Sequence, residues 1–97
     1  MRVEATREFR EWIDALKDLV GRARIQVRID RLIHGNPGQH RNLSGGISEL
    51  KVDSGPGYRV YYTVRGTRLL LLLIGGDKSS QAKDIVKARR LAKEFEE

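Results

Sequence analysis

Six consecutive apolar residues, Leu69 to Ile74, stand between Gly66 and the pair Gly75-Gly76. The run has no polar alternate, so neither side of it can face water. Such a run reads as a strand buried on both faces, central in its sheet, with the glycine pair ending it. It is far short of the roughly 20 apolar residues that a membrane span needs. The rest of the chain has to supply a sheet around this strand. Further glycine clusters show where the chain turns: Gly35-Asn36-Pro37-Gly38, Gly45-Gly46, Gly55-Pro56-Gly57 and Gly66.

The segments between these turns have clear periods. Thr6 is placed as an N-cap, with Glu8 in the first turn of the helix it starts. Phe9, Trp12, Ile13 and Leu16 then form one apolar stripe. Asp18 is placed as the cap of a second helix, striped by Ile25, Ile29, Leu32 and Ile33 and stopped at Gly35. So brief a joint predicts an αα-hairpin. From Ser48 to Val52, and again from Tyr58 to Arg65, residues alternate with a period of two. Arg65-Gly66-Thr67 is a hairpin turn. A last helix begins at Ser79 or Ser80 and presents Ile85, Ala88, Leu91, Ala92 and Phe95. The order is ααβββα, with Arg2 to Ala5 as a candidate extra strand. Residues 1–97 are therefore expected to form one α+β domain. Its N-terminal αα-hairpin and C-terminal helix pack on one face of a three- to four-stranded antiparallel sheet, and the other face is open.

Composition narrows the function. The 97 residues carry 19 Lys+Arg against 13 Asp+Glu, a net charge of +6, which predicts a polyanionic or acidic partner. The absence of cysteine excludes a disulfide scaffold, a thiolate zinc site and a cysteine nucleophile. The start, Met1-Arg2-Val3-Glu4, does not read as a signal peptide, so a cytoplasmic location without membrane attachment is expected.

On the expected open face the alternation places Lys51, Arg59, Tyr61, Thr63 and Arg65, with Glu49 as the acidic exception. Cations interleaved with an aromatic suit nucleic acid, because phosphates pair with Arg and Lys while a base stacks on Tyr. The bland alternative is a solvated polar face. The segment from Gly75 to Gln81 leads from a strand into a helix, where backbone N–H groups and Lys78 can hold an anion; the alternative is a plain turn capped by Ser or Asp. The loop from His40 to Gly46 reaches the rim of the same face or is an ordinary surface loop. Neither His34 nor His40 has neighbours at metal-ligand spacing, so no metal and no cofactor are expected. No Gly-x-Ser-x-Gly elbow is present. Arg24, Arg28 and Arg31 form a basic stripe on the second helix, read as a solvated face or a patch for an acidic partner.

The element order, the segment Glu49-Leu50-Lys51-Val52, the run Gly55-Pro56-Gly57-Tyr58-Arg59-Val60-Tyr61-Tyr62 and the segment Gly75-Gly76-Asp77-Lys78-Ser79-Ser80-Gln81 together resemble the RelE/ParE toxin superfamily. The closer resemblance is to its HigB-like "addiction module killer protein" group, whose shared features include Phe9, Trp12 and the Gly35–Gly38 turn. The resemblance implies a toxin of a type II toxin–antitoxin system. Nuclease members cleave mRNA on the 70S ribosome without a metal, by attack of a 2′-hydroxyl on the adjacent phosphate. Carried over by position, Arg59 holds the scissile phosphate, and Lys51 is a base or phosphate clamp. Lys78 is an acid or phosphate clamp, and Tyr61 stacks a base. RNA contacts are expected from His40, Arg41, Arg65, Gln81 and Lys83. The implied partners are a cognate antitoxin of helix-turn-helix type, mRNA and the ribosome, with operator DNA reached only through the antitoxin.

One departure is visible. Nuclease members often carry a Tyr or His in or near the last helix, and residues 81–97 contain neither. The base is then Lys51, a loop residue such as His40, or absent. Other classes stay open at this point: a ParE-like toxin that binds DNA gyrase without chemistry, or an inactive member that only binds its antitoxin.

Overall fold

The computed structural model describes residues 1–95. The chain runs β1 (Arg2–Ala5), α1 (Arg7–Ala15), α2 (Leu19–Ile33), β2 (His40–Asn42), β3 (Ser48–Val52), β4 (Tyr58–Arg65), β5 (Leu69–Asp77), a 3-10 turn at Lys78–Ser80, and α3 (Gln81–Glu94). The strands form one sheet in the order β1-β5-β4-β3-β2. Both expected caps are made: Thr6 Oγ1 accepts from Phe9 N–H at 3.0 Å, and Asp18 Oδ1 accepts from Gly21 N–H at 3.0 Å. Each cap does a second job. Thr6 donates to the Leu73 carbonyl at 2.6 Å, and Asp18 accepts from the Tyr58 hydroxyl at 2.8 Å, so both helices are tied to the sheet at their first turns.

The sheet differs from the expected one in three ways. It has five strands, because the His40 segment pairs antiparallel with β3 rather than remaining a loop. It is mixed, because β1 runs parallel to β5 while all other pairs are antiparallel. Its second face is not open. α1 and α2 bury Phe9, Ile13, Ile25 and Ile29 against Leu50, Val52, Val60, Leu70 and Leu72 on one face. α3 buries Ala88, Leu91 and Ala92 against Ile47, Tyr61, Leu71, Leu73 and Ile74 on the other. The physical reason lies in β5. A leucine run without alternation has two apolar faces, and one layer of helices covers only one.

The glycine pair does not end β5, which continues to Asp77. An ideal Cβ on Gly75 would fall inside the Trp12 ring, and one on Gly76 would meet Asp84 and Ser80. These glycines let α1 and α3 approach the strand from opposite sides. A bulge sits one step earlier: Tyr61 pairs with Ile74 and Tyr62 with Leu72, which leaves Leu73 as the extra residue. Leu73 and Ile74 consequently both join the α3 side of the core.

Candidate functional site

Two rows of residues cross the α3 face of the sheet. One row pairs Lys51 of β3 with Arg59 of β4, and Arg59 with Gly76 of β5. The next runs Arg41, Glu49, Tyr61, Ile74 across β2 to β5. α3 begins at Gln81, so it covers the second row at Tyr61 and leaves the end carrying Lys51 and Arg59 uncapped. A cleft of about 460 Å³ results, lined by Gln39, His40, Arg41, Glu49, Lys51, Arg59 and Gln81.

Arg59 is the most constrained cation here. It is 5% exposed. Its Nη1 donates to the Gly57 carbonyl at 2.8 Å and to the Tyr58 carbonyl at 3.4 Å. Its Nε lies 3.8 Å from Glu49 Oε1 and has no hydrogen-bond partner. Gly57 adopts φ +80°, a left-handed conformation that glycine takes without strain. A Cβ there would stand 3.2 Å from Arg59 Nη1 and 3.7 Å from the Lys78 Cβ, so exposed Lys78 stands at the rim beside Arg59.

Glu49 is the hub of the cleft. Its carboxylate is buried, accepts from Arg41 Nε at 3.0 Å and Nη2 at 3.4 Å, and accepts from Gln81 Nε2 at 2.9 Å. Burial pushes its pKa up, but the hydrogen bonds from Arg41 and Gln81 together with the Arg41 charge outweigh that, and the net direction is down. The carboxylate therefore stays ionised at neutral pH.

His40 contributes a ring whose tautomer follows from its partner. Its Nδ1 lies 2.8 Å from the Gly38 carbonyl, which can only accept, so Nδ1 donates there and Nε2 is the ring nitrogen left free of that bond. Behind the cleft, Arg28 holds the backbone in place. Its Nη1 donates to the Lys51 carbonyl at 2.6 Å, and its Nη2 donates to those of Pro37 and Gln39, each at 2.9 Å. Arg28 thus fastens α2 to β3 and to the turn before β2, which makes it structural rather than one more solvated cation of a basic stripe.

Lys51, Arg59, Lys78, His40, Arg41 and Gln81 accordingly come together at one end of the sheet. Three other expected site residues do not join them. Tyr61 is fully buried beneath α3, so it presents no ring to a base; burial, with the nearby Glu49 charge, pushes its pKa up. Arg65 lies six residues beyond Arg59, roughly 20 Å along β4 at about 3.3 Å per residue. There it donates to the carbonyls of Ala92 and Phe95 and lies 5.4 Å from the Phe95 ring centroid, capping the C-terminus of α3. Lys83 lines a separate cleft with Glu8, Glu11 and Trp12. The segment expected to cradle an anion caps itself: Asp77 accepts from Ser79 N–H at 2.8 Å and forms a capping box with Ser80.

Residues 11–94 match the family described as phage derived protein Gp49-like (DUF891). The chain belongs to this family. The Gp49-like proteins lie in the RelE/ParE-like superfamily of toxins from toxin–antitoxin systems, a membership that suggests a cognate antitoxin as partner. The matched region of the Gp49-like domain includes every residue of the cleft. A protein of Haemophilus influenzae, described only as uncharacterized, is 45% identical over 95 residues, covering 98% of this chain and 96% of the relative. Among the described residues, no helix is long and apolar enough to cross a membrane.

Proposed function

We propose that this Gp49-like chain is a HigB-like toxin that cleaves mRNA on the ribosome by attack of a 2′-hydroxyl on the adjacent phosphate, without a metal. The observation that carries the reading is the Arg59 guanidinium: buried, fixed through Nη1 to backbone carbonyls, and directly across from Lys51 at an open cleft. A fixed guanidinium is suited to the charge that develops on a phosphorane, because it needs no reorganisation when that charge appears. Lys51 adds a second charge from the facing strand, and Lys78 at the rim clamps the phosphate or protonates the leaving oxygen. His40 Nε2 fills the role of base that the last helix does not supply. An imidazole ring nitrogen at the cleft wall is the kind of group that takes a proton from a hydroxyl in general base catalysis. The ribosome supplies orientation of the mRNA, an effect worth roughly 7–11 kcal/mol in favourable cases. A helix-turn-helix antitoxin neutralises the protein in the cytoplasm.

The test is expression of wild type and Arg59→Ala, followed by mapping of mRNA 5′ ends. New cuts within codons in the wild type, absent from the variant, are expected. Loss of DNA supercoiling with intact mRNA would identify a gyrase-directed toxin instead. Absence of toxicity in both strains would leave only an antitoxin-binding role.

A further inference from the structure

We propose that the Glu49 carboxylate is an internal stand-in for the substrate phosphate. In the free protein it parks Arg41 over the cleft, and an incoming phosphodiester draws Arg41 away from it. The inference rests on the reading of the cleft as a phosphate site and adds a switchable clamp to it.

The two arginines that flank Glu49 are held in opposite ways. Arg59 is buried and anchored to two backbone carbonyls, so it cannot swing. Arg41 has a side chain 56% exposed, and Glu49 is the acceptor of its Nε and Nη2 bonds. Only the Glu49 end of that ion pair is buried, so the Arg41 guanidinium is open on its solvent side to an incoming anion. Its two-pronged geometry, Nε to Oε1 and Nη2 to Oε2, is the one a guanidinium uses on two phosphate oxygens. Glu49 itself is not stranded when Arg41 leaves, because Gln81 Nε2 at 2.9 Å and Arg59 Nε at 3.8 Å remain beside it. The carboxylate therefore holds Arg41 next to the site until a stronger acceptor arrives, and its negative charge opposes casual anions that approach the cations. Glu49 acts here as a positioning residue.

The experiment measures binding of inorganic phosphate to the full chain by amide chemical shifts, for wild type, Glu49→Gln, Arg41→Ala and the double variant. Glu49→Gln is expected to tighten phosphate binding by roughly tenfold, since a unit charge a few ångströms away is removed. That gain should shrink in the Arg41→Ala background, because part of it comes from releasing Arg41. Unchanged or weakened binding in a folded Glu49→Gln protein would overturn the proposal, and so would an equal gain in both backgrounds. In the wild type, which avoids any folding defect, the Arg41 Nε–H resonance must shift as phosphate is added; a resonance that stays still also overturns it. Arg59→Ala separates the two levels of the argument. If that variant binds phosphate as well as the wild type, the phosphate site itself is wrong. If it loses binding while Glu49→Gln changes nothing, only the stand-in role fails.

Discussion

Arg59 and Glu49 show how little a residue's type says about its role until its neighbours are known. Alternation assigns both to the same sheet face as Lys51, and both are indeed there. Nothing in the alternation indicates that both side chains would be buried or that Gln81 would reach back to the carboxylate. Arg59→Ala is expected to lower mRNA cleavage by about 100–1000-fold, the loss typical of removing one fixed donor from a developing negative charge, read as the rate of 5′-end appearance. Glu49 also predicts a pH dependence. Its folded pKa lies below the ordinary value of 4.5, so it contributes stability above that value and loses it as pH falls through the folded pKa. Wild type should therefore exceed Glu49→Gln in urea midpoint at pH 7, with the gap closing as the pH is taken below 4; a gap that widens in acid would contradict the assignment. Tyr61 is the instructive failure at this scale. A tyrosine flanked by cations in an alternating strand reads as a stacking platform, and a tyrosine in a core reads the same way in the sequence.

At the scale of elements, most boundaries could be read because each rests on local chemistry. The caps at Thr6 and Asp18, the periods of α1 and α2, and the limits of β3 and β4 depend on residues within a few positions of one another. Two elements escaped. β2 has three exposed residues and no period to detect, and it is a strand only because β3 accepts it. The glycine pair reads as the end of β5 because such pairs commonly mark turns, whereas here the two glycines make room for Trp12 and Asp84. Gly75→Ala should cost about 1–3 kcal/mol of stability in urea unfolding, as expected when an extra methyl is forced against a packed ring. Arg65→Ala removes the cap at the end of α3 and should cost about 1 kcal/mol, with cleavage by the folded protein unaffected; a selective loss of cleavage would return Arg65 to the site.

For the whole molecule, the net charge of +6 becomes useful once it is divided by location. Lys51, Arg59, Arg41 and Lys78 gather at one end of the sheet, while Arg28 and Arg65 are spent on backbone carbonyls. Binding of a short oligoribonucleotide should therefore depend on salt with a slope of about −2 to −3 on logarithmic axes, corresponding to three or four phosphates neutralised on a single strand. A slope near zero would mean that these cations do not meet the backbone. By itself, the sequence determined the α+β class, the two capped helices that precede the sheet, and the alternating faces of β3 and β4. Those features follow from periodicity and capping, which act over a few residues. The tertiary structure alone decided that α3 lies opposite α1 and α2, that β1 joins the sheet in parallel, and that Arg41 and Gln81 both bond the Glu49 carboxylate while Tyr61 and Arg65 are withdrawn. Each of those outcomes depends on which apolar surfaces remain uncovered after the sheet has formed, a quantity set by the whole chain and by no local stretch of it.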